Sequence, residues 1–253
     1  MAFALVASPI SFADQAVAIS GAADGLGTLE ETFRAFRESA MRVNNIRATE
    51  LARWTGPIYL AFADTPGLER VRPEVEAAVT ALAAVAKVPV ERVAASDPRV
   101  NFIVRASGRN SMGNTRCFTT IDWDGAGAVT RAELNLNMAN SERLTRCVNH
   151  EVLHAFGFRD HPGAAYSVLS YKYNTQAHMT DTDRLLLATL YDPRLPATGS
   201  VDQIGRVASG LIAERLNISA DRTASVCERQ VTPPPRTSIF ARASSGHRDN
   251  IGQ

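Results

Sequence analysis

The segment His150-Glu151-Val152-Leu153-His154-Ala155-Phe156-Gly157-Phe158-Arg159-Asp160-His161 constrains this chain more than any other stretch. Residues four apart share one face of a helix, so His150 and His154 can aim imidazole nitrogens at a single point. Glu151 lies beside that face. Gly157 can take the left-handed conformation that ends a helix, which turns the chain back and brings Asp160 or His161 to the same point. These are the parts of a catalytic zinc site: three protein ligands, one open position, and a carboxylate to act on an activated water. The competing reading is an amphipathic helix with two polar-face histidines. The glycine and the Asp-His pair that follow weigh against it.

Downstream, Tyr166-Ser167-Val168-Leu169-Ser170-Tyr171 resembles the Met-turn of the metzincins, whose usual form is S-(I/V)-M-x-Y. Together the two motifs resemble an astacin- or serralysin-type zinc peptidase. The third histidine of that family's H-E-x-x-H-x-x-G-x-x-H falls on Asp160, as in snapalysin, and the turn methionine is Leu169, which can still supply an apolar floor. The resemblance implies that His150, His154 and Asp160 hold one zinc ion per chain, with His161 as the rival third ligand. It also implies that Glu151 is the base and that Tyr171 sits near the metal. A wider likeness, from about Arg53 to Leu195, is to a bacterial family of secreted domains of unknown function. Its markers are Cys117-Phe118, Cys147 and the run from Asp181 to Leu195.

Composition narrows the partners. A net charge of +1 argues against nucleic acid or an anionic membrane. No stretch is long enough to span a bilayer. Lysine occurs only at Lys87 and Lys172, so arginine carries almost all the positive charge. Of the three cysteines, none has C-x-x-C spacing. Cys117 and Cys147 are either linked, tying the active helix to the sheet in an oxidising compartment, or are two buried thiols; Cys227 is left over. Ser11-Phe12-Ala13 reads as a small-x-small cleavage site at the end of a secretory signal that lacks its basic region. The expected location is periplasmic or secreted.

Periodicity supplies the elements. Residues 28–52 read as helix, with Leu29, Phe33, Phe36 and Met41 on one face. Strands are expected at 57–63, around Val100, Phe102 and Val104, and at 116–121. Residues 69–86 read as helix. From 128 to 138 the alternation is strict, with Ala132, Leu134, Leu136 and Met138 on one side and polar residues on the other, a strand with one wet face. Asn140 or Ser141 can cap the helix carrying the two histidines. Thr180 and Asp183 form a capping box for a helix over 181–191, and a last helix spans 201–216. The Pro233-Pro234-Pro235 tail reads as disordered.

Two other motifs are incomplete. Asp122-Trp123-Asp124-Gly125-Ala126-Gly127, continuing to Glu133, fits much of a calcium loop, but Ala126 offers no ligand oxygen and a hairpin turn explains the same residues. Ser20 to Gly27 resembles a dehydrogenase glycine loop without the Tyr-x-x-x-Lys such enzymes need. His178 and His247 are single histidines without spaced partners.

The expected fold is α+β and zincin- or metzincin-like. It has a twisted mixed sheet of about four strands, an active helix and a smaller C-terminal helical subdomain. The expected divisions are 1–13 signal remnant, 14–52 N-terminal extension, 53–198 catalytic domain, 199–230 helix and 231–253 tail. The expected activity is that of an exported zinc endopeptidase acting on a peptide or protein substrate through a Glu151-activated, zinc-bound water. An extended substrate would pair with the polar edge of strand 128–138. The alternative is a non-catalytic binding or envelope protein with a structural or vestigial zinc.

Overall fold

A computed structural model describes residues 26–43, 46–107, 117–138, 143–172 and 176–218. The chain runs through α1 (Leu29–Ser39), β1 (Arg42–Val43), β2 (Ile46–Arg47), β3 (Ile58–Phe62), α2 (Leu68–Ala86) and β4 (Val90–Arg92). It continues through β5 (Phe102–Ser107), β6 (Phe118–Trp123), β7 (Val129–Asn137), α3 (Leu144–Ala155), α4 (Asp181–Leu190) and α5 (Val201–Arg215).

The architecture is α+β around a mixed sheet of five strands, in the order β4-β3-β5-β7-β6. The expectation of about four strands is corrected by β4. Its three residues are too short to show an alternation, and it is held at the edge by parallel pairing of Ile58 with Val90. The remaining pairings of β3 with β5 and β5 with β7 are parallel, while β6 runs antiparallel to β7. The hairpin joining β6 to β7 is built by Asp124, whose carboxylate accepts from the Ala126 and Ala128 amides, each at 2.9 Å. Gly127 turns there at φ +83°. Glu133 is paired with Arg105 and Arg131 rather than aimed at a cation loop.

Two further expectations are corrected. The strand over 129–137 is interior, flanked by β5 and β7's antiparallel partner β6, so it offers no edge to a substrate. Its polar face is also not wet throughout, since Asn135 and Asn137 are buried. The first helix does not reach residue 52. It stops at Ser39, and a short antiparallel pair follows in which Val43 opposes Ile46. The Ser39 carbonyl, freed at the helix end, accepts instead from the Arg159 and Asp160 amides at 2.8 and 3.1 Å.

The other helices lie where periodicity puts them. The α4 capping box forms, with Thr180 accepting from the Asp183 amide and Asp183 accepting from the Thr180 amide. Residues 29–52 and the C-terminal helix are not appendages. Phe33, Phe36, Leu51, Trp54, Phe156, Leu187 and Ile212 belong to one buried cluster with Phe102 and Leu134 of the sheet. No described helix is long and apolar enough to cross a membrane. The signal remnant, the Asn140 and Ser141 caps, most of the glycine loop, Cys227, His247 and the tail lie outside the described residues.

Candidate metal centre

Helix α3 is pinned at both ends. At its start, Cys147 is disulfide-bonded to Cys117, which precedes β6. At its end, the orphan carbonyls of Ala155 and Phe156 accept from the Trp54 indole (2.9 Å) and the Tyr191 hydroxyl (3.1 Å). Gly157 then leaves at φ +107°, so close to residue 52 that a Cβ would lie 1.9 Å from the Ala52 carbonyl oxygen. Only glycine fits that exit.

The exit returns the chain to the helix face. The Nε2 atoms of His150, His154 and His161 converge, with separations of 3.0, 3.2 and 3.2 Å. The other ring nitrogen of His150 donates to the Val168 carbonyl at 2.9 Å, and that of His154 to the Phe158 carbonyl at 2.5 Å. A nitrogen facing a carbonyl must carry the proton, so each Nε2 presents a lone pair. Three acceptors that close cannot satisfy one another. Around a tetrahedral zinc with Zn–N of about 2.05 Å, ligand nitrogens stand roughly 3.3 Å apart. The trio therefore fits a small divalent cation, and these are the only such group of ligand atoms among the described residues.

The side chain that joins the two helix histidines is His161, the rival, while the Asp160 carboxylate is not part of the group. Residues 159 and 160 spend their amides on the Ser39 carbonyl, and the Asp160 carboxylate accepts from the His161 amide at 2.8 Å. The first side chain free to turn toward the two helix histidines is His161. Asp160 becomes its brace, 3.8 Å from the far ring nitrogen.

Burial keeps the trio neutral. It lowers His150 to about 3 and His154 to about 4, with a neighbouring imidazole adding to the effect in each case. His161 is lowered too, chiefly by burial. Burial has the opposite effect on Glu151, raising its carboxyl to about 7 against hydrogen bonding from Thr119 and the charge of Arg146. Thr119 also donates to the Glu151 carbonyl at 2.9 Å, which fastens α3 to β6.

Beneath the cluster, the turn through Val168 is held by Asp183. Its carboxylate accepts from the Ser167 hydroxyl (2.5 Å) and the Val168 amide (3.1 Å). Leu169 is buried there, in the place the resemblance gives to methionine. Tyr171 stacks on His161 with ring centroids 4.3 Å apart, and is itself 68% exposed. His178 is exposed and lies outside the trio.

Sequence reasoning missed Thr119 and Arg146, and read Asp183 only as part of the α4 capping box. Arg146 had a readable signal, four residues before His150 on the same helical face. Thr119, and the hold of Asp183 on the Val168 turn, had none, because strand packing and turn docking bring them in.

The chain belongs to a family described as a protein of unknown function (DUF2927), whose model matches residues 30–208. No curated protein matches it.

Proposed function

We propose that the chain is an exported zinc-dependent endopeptidase of metzincin-like type. The observation that carries this reading is the convergence of three imidazole lone pairs on one point, with Glu151 the next residue after His150 on α3. His150, His154 and His161 would hold the ion, leaving a fourth position open. A zinc ion in such a site supplies Lewis acidity, acidifying water and polarising a carbonyl.

The chain's own residues supply the rest. Glu151, with a carboxyl raised to about 7, is suited to take the proton of an attacking water and hand it to the leaving amine. Val168 and Phe158 fix the histidine tautomers through their carbonyls. Tyr171 is stacked on His161, and its phenol is the donor we assign to the developing oxyanion. An extended peptide would add to β6, whose outer side has no strand partner among the described residues. The Cys117–Cys147 bond supports an oxidising compartment.

The test is metal content followed by cleavage of a denatured protein. About one zinc per chain is expected, with proteolysis lost by about 10²- to 10⁴-fold in Glu151→Gln while the metal is kept. Zinc without cleavage, and no difference between Glu151→Gln and the parent, would replace the peptidase with a binding protein that uses the ion structurally.

A further inference from the structure

The contact between His150 and the turn beneath it continues as a chain of hydrogen bonds. His150 Nδ1 donates to the Val168 carbonyl at 2.9 Å. That carbonyl shares its peptide group with the Leu169 amide, which donates to the Ser167 hydroxyl oxygen at 3.0 Å. The Ser167 hydroxyl in turn donates to Asp183 Oδ1. The chain runs imidazole, peptide, hydroxyl, carboxylate, with every donor pointing the same way. His150, Ser167, Val168, Leu169 and Asp183 are all buried, so water does not compete for these bonds.

The far end of the chain is charged. Asp183 Oδ2 accepts from the Val168 amide at 3.1 Å and the Thr180 amide at 2.8 Å. Amides can only donate, and such donors favour the anion. The chain from His154 is built alike but ends on a neutral group. His154 Nδ1 donates to the Phe158 carbonyl, and the Arg159 amide of the same peptide group donates to the Ser39 carbonyl at 2.8 Å. A carboxylate bonded directly to a ligating histidine fixes its tautomer and raises its basicity, and hydrogen bonds in series polarise one another. We propose that Asp183 is a positioning residue of the metal centre. Acting through Ser167 and the Val168–Leu169 peptide, it holds the proton on His150 Nδ1 and makes Nε2 the better ligand. This rests on the metal site of the peptidase reading and not on cleavage.

Two measurements on the full chain test it. In metal-free protein, proton NMR reads the His150 ring N–H, whose resonance should move upfield in Asp183→Asn as its bond weakens. Titration of zinc against a competing chelator should show Asp183→Asn weakened by about 10- to 100-fold, the usual cost of removing a ligand's outer partner. Thr180→Ala is the control. It removes the hydroxyl that accepts from the Asp183 amide at the start of α4 but leaves the chain from His150 to Asp183 intact. It should lose stability in urea while the ring proton and the zinc affinity stay as in the parent. If Asp183→Asn does not fold, Ser167→Ala cuts the same chain, leaves Asp183 on the Val168 and Thr180 amides, and should give the same two changes. Equal losses of zinc affinity in the chain-breaking variant and in Thr180→Ala, or an unmoved ring proton in the former, would overturn the proposal and leave Asp183 as a helix cap. A parent that binds no zinc would overturn this proposal and the peptidase reading together. If the zinc affinities rank as expected but no peptide is cleaved, the peptidase reading alone fails and the role of Asp183 stands.

Discussion

The histidine trio and the Asp192 network both gather ionisable groups at buried positions, and they solve the problem in opposite ways. Asp192 accepts from Arg194 through its amide, Nε and Nη2, and from Arg215 through Nη2 at 2.8 Å. Those donors hold its carboxyl well below the usual carboxylate range. Arg194 in turn meets Glu214 at 2.8 Å. Every charge there has its opposite. In the trio, three acceptors face one another with no donor between them. Buried polar groups are rarely left so. The first arrangement is complete as it stands; the second is one that a cation can close.

The comparison breaks most visibly at the third ligand. His161→Ala should weaken zinc by more than about 100-fold, the upper range for losing even an outer partner of a ligand. Asp160→Ala should stay within about 10-fold. Titration against a competing chelator measures both, and the reverse order would restore the aspartate register.

Next comes the exit that delivers His161. Gly157→Ala places a methyl against the Ala52 carbonyl at a backbone conformation that side-chain-bearing residues avoid. A loss of about 3 kcal/mol or more in urea unfolding is expected. An unchanged midpoint would mean that the loop can leave by another route.

Asp192→Asn removes the centre of a satisfied network. With Arg194 half exposed, the loss should be about 2 kcal/mol, short of a fully buried pair, and zinc affinity should not move. A change in zinc affinity would mean that the two regions are coupled.

A gradual effect is in pH. His150 and His154 have folded values below the ordinary 6.5. Their contribution is therefore present above that pH and is lost as pH falls toward 4. Glu151 is raised to about 7 from 4.5, so it acts the other way between those values. His161 is lowered as well and acts with the other two histidines, so the histidines outweigh the one carboxyl and leave a net loss on the order of 1 kcal/mol per unit on acidifying metal-free protein from 6.5 to 4.5. Asp192, depressed below its ordinary range, adds its loss only below about pH 4. Thermal unfolding of metal-free protein across this range checks the sign; flat stability between 6.5 and 4.5 would show that the trio is not buried and neutral.

Local chemistry was legible in the sequence. Val71, Val75, Val79 and Leu82 mark α2, and Thr180 with Asp183 marks the start of α4, because periodicity and capping act within a few residues. The paired cysteines and the two helix histidines could be read for the same reason. What failed was decided at a distance. The first helix ends where Ser39 surrenders its carbonyl to residues 159 and 160, and the side chain that joins the two helix histidines is one position further on than expected. The 129–137 strand shows alternation but not its neighbours, so its place inside the sheet was invisible. A motif counts residues; it does not see which amides another segment has claimed.

That Ser39 clamp bears on how such a chain could mature. Arg159 also donates to the Ala40 carbonyl at 3.2 Å and to the Glu50 carbonyl. Trp54 and Ala52 meet the end of α3. A processing protease that cut within 29–54 would remove the wall against which the His161 loop is set, so it would dismantle the metal centre instead of unmasking it. An N-terminal segment removed without disturbing that wall ends before Leu29.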